Sequence, residues 1–383
     1  MTSNAQHRIL KTMNIFAIET SCDETAAAVV CQTDDGMLHV RSSIVASQIA
    51  LHAQYGGVVP NLAAREHESA IMSVMDTALE DAHLSPDAVD LVAVTHAPGL
   101  IPALIVGVSA AKAFAWVHRR PLMGVHHLAG HIYAARLDGN APFTFPVMTL
   151  IVSGGHTQLV LMRAEHDYTI IGQTVDDAAG EAFDKVARML GLPYPGGPAI
   201  SAAAERHTED NLFSLPRPML HSGDNNFSFS GLKTAVLYRL NEWRERHGIT
   251  PDTPLPDTVV TAMSAEFQNA VTDVLVKKTL RAAQQHNART VILAGGVSAN
   301  SQLRTALRTA CTEANIECRI PPHKFCVDNA AMIAAAAATR YTLLSDMERQ
   351  HLQTTIHTLD ATATCPLSSS AAFGIKMPYC STT

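Results

Sequence analysis

Two histidines, His127 and His131, lie four residues apart in the stretch HHLAGHIYAAR. If this stretch is a helix, residues four apart share one face, and both imidazoles can reach one metal ion. Two histidines make an incomplete site, and Asp328 in CVDNAAMIA is the candidate for a third ligand. Two alternatives stay open: the spacing is a coincidence among 19 histidines, and Asp328 is only a helix N-cap.

A metal-dependent peptidase is the first function to test against this pair. Zinc peptidases of the His-Glu-x-x-His type place a glutamate beside the first histidine, where it activates water. Position 128 is leucine, and no glutamate lies between the two histidines. The sequence therefore argues against peptide hydrolysis.

Three carboxylates occupy the stretch IETSCDETAAAVV, between two apolar runs that are typical of buried strands. An ordinary hairpin turn uses Asn-Gly or Asp-Gly, and this turn contains no glycine. We expect these acids to face a functional site, with Asp23 or Glu24 accepting a proton or orienting the ligands of the metal. For Glu19 a structural role is the alternative.

Two glycine turns, Ser153-Gly154-Gly155 and Gly295-Gly296, each follow an apolar run. Backbone amides in a tight turn form a nest for an anion, and glycine lets the ligand approach closely. A strand that leads into such a turn at a helix N-terminus suits a nucleotide. For each turn taken alone, an ordinary turn without a ligand is the alternative.

A further carboxylate, Asp184, lies within DDAAGEAFDKVARML, residues 176–190, which is predicted to be helical. The acids at the start of this stretch have a simple alternative explanation, because the helix dipole favours solvated carboxylates in the first turn. Asp184 lies deeper in the helix, where that explanation accounts for less.

The elements that must position these residues form a repeated unit. Residues 14–31 are predicted to form strand, loop and strand, and residues 147–162 repeat that pattern. The repeat indicates two related halves, each starting with a hairpin whose loop faces a common cleft. Helices are predicted over 66–81, 102–118 and 259–280, and another follows the second glycine turn with Ser298 or Asn300 as its cap.

Length and composition are those of a globular protein with room for two domains. Of 383 residues, 47% are apolar and 16% are charged. The net charge is −7, whereas a protein that wraps nucleic acid by itself is usually basic, so a nucleic-acid substrate would need a local basic patch or a partner.

No apolar run is long enough to span a bilayer. Seven cysteines without a Cys-x-x-Cys pair indicate reduced intracellular thiols, and the residues before Met13 are interpreted as a ragged start.

Eight stretches occur in order, and together they resemble the bacterial tRNA adenosine threonylcarbamoyltransferase family, long misnamed O-sialoglycoprotein endopeptidase. The resemblance covers about residues 13–340. The stretches are IETSCDET, YGGVVPNLAAREH, HHLAGHIYA, LIVSGGHTQLV, DDAAGEAFDKVARMLGLPYPGGP, FSFSGLKTAV, AGGVSANSQLR and DNAAMIA.

The resemblance implies an α/β fold, the duplicated actin-like ATPase fold of sugar kinases and heat-shock ATPases, with two lobes around a central nucleotide cleft. We expect lobes at 13–145 and 146–340 and a poorly ordered or irregular tail at 341–383. The implied activity transfers a threonylcarbamoyl group from threonylcarbamoyl-AMP to the exocyclic N6 amine of the adenosine that follows the anticodon. The implied tRNAs read ANN codons, and AMP is released.

The resemblance also assigns residues. His127, His131 and Asp328 would bind one divalent metal, Fe²⁺ with zinc as the alternative. Asp23 and Glu24 fall in the first phosphate-side loop and are the catalytic candidates. The residues that would line the adenylate are Ile151, Val152, Ser153, Gly154, Gly155, Asp184, Gly197 and Asn300.

The implied partners are tRNA, threonylcarbamoyl-AMP, a shorter inactive paralogue (TsaB-like) and a small ATPase (TsaE-like). The implied location is the cytoplasm, without a membrane.

The sequence departs from the family pattern at the site and in the tail. Some relatives have a tyrosine metal ligand where this chain has Ile151, so its metal keeps fewer protein ligands. ATCPLSS stands in place of the C-terminal Arg-Pro-Arg-Trp segment of bacterial members.

Two other classes of function compete with the transferase. An ATP-driven kinase or chaperone of the same fold would turn over ATP without tRNA, and it would not explain the histidine pair. A non-catalytic nucleotide-binding scaffold would sit in a complex, and the intact candidate residues argue against it.

Overall fold

The computed structural model describes residues 12–208, 212–368, 373 and 374. The described residues divide into two compact units: unit 1 contains 12–46, 64–142, 329–368, 373 and 374, and unit 2 contains 47–63, 143–208 and 212–328. This division differs from the lobes expected at 13–145 and 146–340. Residues 47–63 belong to unit 2, and unit 2 ends at residue 328, after which the chain returns to unit 1. The residues before position 12, interpreted as a ragged start, lie outside the described residues.

Groups of consecutive strands and groups of consecutive helices follow one another along the chain. The strands are β1 Met13–Glu19, β2 Glu24–Gln32, β3 Leu38–Ser47, β4 Leu91–Ala97, β5 Leu122–His126, β6 Val147–Val152, β7 Thr157–Met162, β8 Tyr168–Gln173, β9 Thr290–Ala294 and β10 Glu317–Arg319. The helices are α1 Ile49–Ala53, α2 Pro60–Asp81, α3 Ile101–Val117, α4 His127–Tyr133, α5 Ala179–Met189, α6 Gly196–Glu205, α7 Ser230–His247, α8 Asp257–Gln285, α9 Ser301–Glu313, α10 Ala330–Leu343, α11 Asp346–His351 and α12 Thr355–Thr358.

Unit 1 is built on a five-stranded sheet in the order β3-β2-β1-β4-β5. Strand β1 pairs antiparallel with β2 and parallel with β4, and β4 pairs parallel with β5. The carboxyl ends of β1, β4 and β5 therefore meet at one edge of the sheet, where ligand sites of α/β proteins form. Phe16 and Ile18 of β1 pack in one core with Val74 of α2 and Val108 of α3.

Helix α10 explains why the chain returns to unit 1. It packs against β1, β2 and α4, and its residues 330–339 are all buried. Most of these residues are alanines, whose small side chains let the helix approach the strands closely. The apolar contacts of α10 are therefore made within unit 1, and residues 329 onward belong to it.

The segment predicted as an irregular tail contains two short helices, α11 and α12. Leu352, Leu359 and Leu367 are buried, and the Thr362 amide donates to the His96 carbonyl at 2.9 Å, so this part of the segment is anchored to unit 1. Residues 369–372 and 375–383 of the predicted tail lie outside the described residues.

Unit 2 repeats the topology of unit 1. Its sheet has the order β10-β9-β6-β7-β8, with β6 antiparallel to β7 and parallel to β9. Read from the other edge, this is the strand order of unit 1, so the duplicated α/β architecture predicted from the repeated hairpin is confirmed. The long helix α8 supplies much of the core, where the Phe267 and Phe183 rings meet edge to face at 5.1 Å.

The acids expected at the start of a helix over 176–190 have structural partners instead. Helix α5 begins only at Ala179, and Asp176 accepts from the amides of Phe229 and Ser230 at 2.8 and 3.2 Å, at the N-terminus of α7. Asp177 pairs with Lys185 at 2.9 Å and Lys233 at 3.0 Å. Asp176 is exposed, but neither acid lies in the first turn of α5, so the dipole of that helix does not explain Asp176 and Asp177.

Within the described residues, no helix combines the length and the apolar character that a membrane span requires.

Candidate metal centre and nucleotide-binding turns

The histidine pair and the predicted aspartate come together. His127 and His131 lie in α4, and one potential ligand atom from each of His127, His131 and Asp328 lies within 4.8 Å of the other two. The alternative that Asp328 is an N-cap is wrong, since the cap of α10 is its neighbour Asn329, whose side chain accepts from the Met332 amide at 2.9 Å.

Strand β5, which precedes α4, and helix α10, which packs beside it, fix the position of α4. It starts directly after β5, at the edge where the carboxyl ends of β1, β4 and β5 meet. A Cβ atom at Gly130 would lie 2.7 Å from Ile333 Cδ1 and 3.1 Å from Met332 Cγ. Glycine at this position therefore lets α4 pack closely on the first turn of α10, which directly follows Asp328 and Asn329.

A buried carboxylate, Glu19, orients the first histidine. Its side chain has no solvent exposure, and Glu19 Oε2 lies 3.2 Å from His127 Nδ1, with Ser21 Oγ at 3.1 Å from the same nitrogen. Glu19 also accepts from the Ser21 amide at 2.5 Å and from the Thr95 hydroxyl. Because a carboxylate only accepts, Nδ1 carries the proton, and Nε2 holds the lone pair that a metal ligand needs.

The residues present fit a divalent metal ion. Two imidazoles and one carboxylate are the donor set that Fe²⁺ and Zn²⁺ accept in proteins, and a carboxylate on the second ring nitrogen of a ligating histidine is the usual supporting contact. The sequence analysis expected Glu19 to face the site, with a structural role as the alternative, and did not connect it with His127. The signal that could have found it is its place at the end of β1, at the edge shared with β4 and β5.

Asp23 and Glu24, the catalytic candidates, lie in and just after the turn between β1 and β2. Glu24 begins β2 and is buried, whereas Asp23 is half-buried. The turn is held by His67 of α2, whose Nδ1 lies 2.7 Å from Thr25 Oγ1 and whose Nε2 lies 3.0 Å from the Cys22 carbonyl oxygen. His67 was not singled out from the sequence. The catalytic roles of Asp23 and Glu24 stay predictions.

In unit 2, the turn Ser153–His156 follows β6 and is fixed by its own hydrogen bonds. The Ser153 amide donates to the His156 carbonyl at 2.8 Å, and the His156 amide donates to Ser153 Oγ at 3.1 Å. A Cβ at Gly154 or Gly155 would meet no atom within 4 Å, and both residues are exposed. Protein packing does not require glycine there, so the open space suits a ligand.

Gly196 and Gly197, the first residues of α6, differ sharply in their surroundings. A Cβ at Gly196 would lie 2.5 Å from Asp184 Cα and 2.6 Å from the Phe183 carbonyl oxygen, whereas one at Gly197 would meet nothing within 4 Å. The Gly196 amide donates to Asp184 Oδ1 at 2.7 Å. Burial raises the pKa of the Asp184 carboxyl, and the hydrogen bond from Gly196 works against that rise.

The second glycine turn lies at the same edge of its sheet as the first, because β6 and β9 are parallel. Gly295 has φ +87°, and a Cβ there would collide with the Val152 backbone, so both conformation and packing require glycine. Asn300 is the cap of α9, since its Oδ1 accepts from the Leu303 amide at 2.9 Å, and Ser298 is not.

The predicted adenylate residues are only partly brought together. Asn300 Nδ2 donates to Ser201 Oγ at 2.8 Å and to Gln268 Oε1 at 2.6 Å, so Asn300 is tied to α6, the helix that contains Gly197 and that Asp184 contacts through the Gly196 amide. Ile151 and Val152 are both fully buried in β6, where successive side chains point to opposite faces of the sheet, and Val152 packs in the main apolar core of unit 2. Ser201 and Gln268, which hold Asn300, were not singled out from the sequence.

A family profile described as TsaD, tRNA N6-adenosine threonylcarbamoyltransferase, matches residues 39–335. The chain belongs to this family. It is 50% identical over 323 residues to the protein of that name from Shouchella clausii, covering 84% of this chain and 92% of the relative. It is 49% identical over 333 residues to the one from Bacillus subtilis, covering 86% and 91%. The chain is therefore a transferase of tRNA modification.

Solved structures confirm the fold class. HypF from T. kodakarensis matches with a TM-score of 0.58 at 12% identity, over 88% of this chain and 49% of that one. A full-length HypF in a phosphate- and nucleotide-bound form matches with a TM-score of 0.54 at 11% identity, over 88% and 47%. The chain spans about half the length of these two proteins, and at such identities the likeness concerns the fold alone.

Proposed function

We propose that the chain transfers the threonylcarbamoyl group from threonylcarbamoyl-AMP to the exocyclic N6 amine of the adenosine that follows the anticodon. The tRNAs are those that read ANN codons, and AMP is released. The observation that carries the proposal is the 49–51% identity with relatives named tRNA N6-adenosine threonylcarbamoyltransferase, over 84–86% of the chain. The convergence of His127, His131 and Asp328 supports it.

The reaction needs activation because an adenine amine is a weak nucleophile, its lone pair being conjugated with the ring. In the proposed step, a bond forms between N6 and the carbonyl carbon of the threonylcarbamoyl group, and the bond from that carbon to the phosphate oxygen breaks. The electron pair leaves with AMP. The proton lost by N6 goes to a carboxylate, for which Asp23 and Glu24 are our candidates.

His127, His131 and Asp328 would hold one divalent metal, Fe²⁺ or zinc. The chemistry that such an ion would supply at this site is Lewis-acid polarisation of a donor oxygen and stabilisation of charge on the leaving phosphate. Glu19 keeps the His127 ring in the tautomer that a ligand needs. Ile151 does not take the place of the tyrosine ligand of some relatives, because its buried side chain has no donor atom.

The donor would be bound by the exposed Gly154 and Gly155 turn and by the groups around α6. The turn presents backbone in open space, as the close approach of a phosphate requires. Gly197 leaves room for the adenylate, and Asp184 and Asn300 are held in place at the same helix. Binding of this kind lowers the barrier by fixing the donor in position, an effect worth about 7 kcal/mol or more in well-aligned systems.

The net charge of −7 makes weak unaided binding of tRNA the expectation, with an affinity that falls as salt rises. We therefore propose that a shorter inactive paralogue and a small ATPase act with the chain, and that all of them work in the cytoplasm, where tRNA is modified. Tight binding of tRNA by the isolated chain would contradict this part of the proposal.

The test supplies purified chain, with the proposed partner proteins, threonylcarbamoyl-AMP and an unmodified tRNA transcript that reads an ANN codon. The nucleosides are then analysed by mass spectrometry. We expect threonylcarbamoyladenosine with the wild type and a large loss with His131→Ala, while His323→Ala, an exposed histidine outside the cluster, serves as the matched control. Strong ATP turnover without tRNA and no modified nucleoside would instead favour the kinase or chaperone class.

A further inference from the structure

Arg304, in the first turn of α9, is a buried arginine with three neutral hydrogen-bond partners. Its side chain is only 7% exposed. Nη1 donates to the Ser298 carbonyl at 3.0 Å and to Cys326 Sγ at 3.3 Å, and Nη2 donates to the Pro321 carbonyl at 2.9 Å. A buried guanidinium is costly unless its donors are satisfied. The three hydrogen bonds offset the cost of burying the guanidinium, and their acceptors identify the two chain segments that Arg304 holds in place.

One of those segments is the turn after β9. The Ser298 amide donates to the Gly295 carbonyl at 2.8 Å, and Gly295 itself is fixed by its left-handed conformation against the Val152 backbone. Asn300, two residues after Ser298, starts α9 and reaches α6. The contact from Arg304 to Ser298 therefore supports the turn that carries Asn300.

The other segment is the loop that leads to Asp328. Pro321 and Cys326 both lie in the stretch between β10 and Asn329, and both are buried. Cys326 is two residues before Asp328 along the chain. Because Arg304 donates to the Pro321 carbonyl and to Cys326 Sγ, its guanidinium holds the loop that positions Asp328, the predicted metal ligand.

A lysine could not replace this arrangement. Arginine presents its donors in a rigid planar fork, whereas lysine presents one compact ammonium group on a flexible stem. The three acceptors belong to three different residues, and the fork reaches all of them with two nitrogens. Loss of the fork would release the Asp328 loop and the Asn300 turn together.

We propose that Arg304 is a positioning residue that fixes Asp328 and the turn Gly295–Asn300 with one guanidinium, so that metal affinity and adenylate affinity both depend on it. This inference rests on the proposed function, in which Asp328 is a metal ligand and Asn300 lines the adenylate. Nothing in it requires Arg304 to touch the metal, the donor or tRNA.

The experiment compares Arg304→Lys and Arg304→Met in the full chain. Zn²⁺ affinity is measured by competition with a chromophoric chelator, AMP affinity by calorimetry, and folding by thermal denaturation. We expect both variants to lose about tenfold in both affinities, the size of effect typical of contacts that support a metal ligand. Arg308→Lys and Arg308→Met are the matched controls, because Arg308 lies one turn further along α9 and is exposed.

Cys326→Ala separates positioning from a general loss of stability. It removes the contact nearest Asp328 but leaves the contact to Ser298, so we expect weaker Zn²⁺ binding with AMP binding kept. The proposal is overturned if folded Arg304 variants keep wild-type affinity for either ligand, or if Cys326→Ala weakens AMP as much as Zn²⁺. If the wild type binds neither Zn²⁺ nor AMP, the proposed function itself fails, and the inference falls with it.

Discussion

Alanine at Gly197 should keep the fold and weaken adenylate binding, whereas alanine at the adjacent Gly196 should destabilise the protein. A Cβ at Gly196 would lie 2.5 Å from Asp184 Cα and 2.6 Å from the Phe183 carbonyl oxygen. Both are atoms of the α5 backbone, so relief requires α5 and α6 to separate. Such overpacking costs about 1–3 kcal/mol.

At Gly197 an added methyl group should not destabilise the protein. Its Cβ would meet no protein atom within 4 Å, and the residue lies in a helix, where alanine is favoured over glycine by up to about 1 kcal/mol. The stability of Gly197→Ala should therefore equal or slightly exceed that of the wild type. If the adenylate occupies the open space, the added methyl should reduce AMP affinity by about tenfold, or roughly 1.4 kcal/mol.

Urea denaturation and AMP calorimetry on both variants test this reasoning. The expected pattern is lower stability for Gly196→Ala and lower affinity at unchanged stability for Gly197→Ala. Wild-type AMP affinity in Gly197→Ala would refute the claim that this space receives the adenylate. Wild-type stability in Gly196→Ala would refute the packing argument.

Three further predictions concern single carboxylates. Glu19→Gln should lower metal affinity by about 10- to 100-fold in chelator competition while the protein stays folded, because the charge behind His127 is lost; unchanged affinity would remove its supporting role. Asp184→Asn should change the pH dependence of stability: the raised pKa means that the contribution of Asp184 is present below its ordinary pKa and is lost as pH rises through the folded value. In urea denaturation the wild type should therefore lose stability relative to Asp184→Asn as the pH rises from below the ordinary pKa of an aspartate, and a gain would contradict the assignment. Asp176→Ala should cost about 1–2 kcal/mol in thermal denaturation, since it uncaps α7, with Asp176→Asn as the conservative control.

The sequence predicted the duplicated fold because the first hairpin of each unit is readable locally. Strands β1, β2, β6 and β7 are almost fully buried, so their apolar runs are continuous on both sides of the polar turn. Strands β3 and β8 were missed, because they stand at the edges of their sheets and each has only two fully buried residues, so neither forms a continuous apolar run. The return of the chain to unit 1 at residue 329 depends on the packing of α10, which leaves no local signal.

Among the residues of the metal site, too, only those with a local sequence signal could be predicted from the sequence. The spacing of His127 and His131 is local to one helix and could be predicted from the sequence. Asp328 was only a candidate, with an N-cap as the alternative, until the family resemblance assigned it as a ligand, because the local sequence does not show which distant carboxylate approaches the pair. Glu19 was not assigned to His127 because that contact depends on β1, β4 and β5 ending at one edge, which is a property of strand order. Asp176 was misjudged because it caps a helix more than 50 residues later in the chain.

The metal content of purified chain tests the central claim most directly. Elemental analysis of anaerobically prepared wild type should find one iron or zinc ion per chain, and His127→Ala, His131→Ala and Asp328→Ala should each lose it while circular dichroism shows a native fold. His323→Ala should keep the metal. Full occupancy in the three ligand variants, or a wild type that modifies tRNA without metal, would contradict the account.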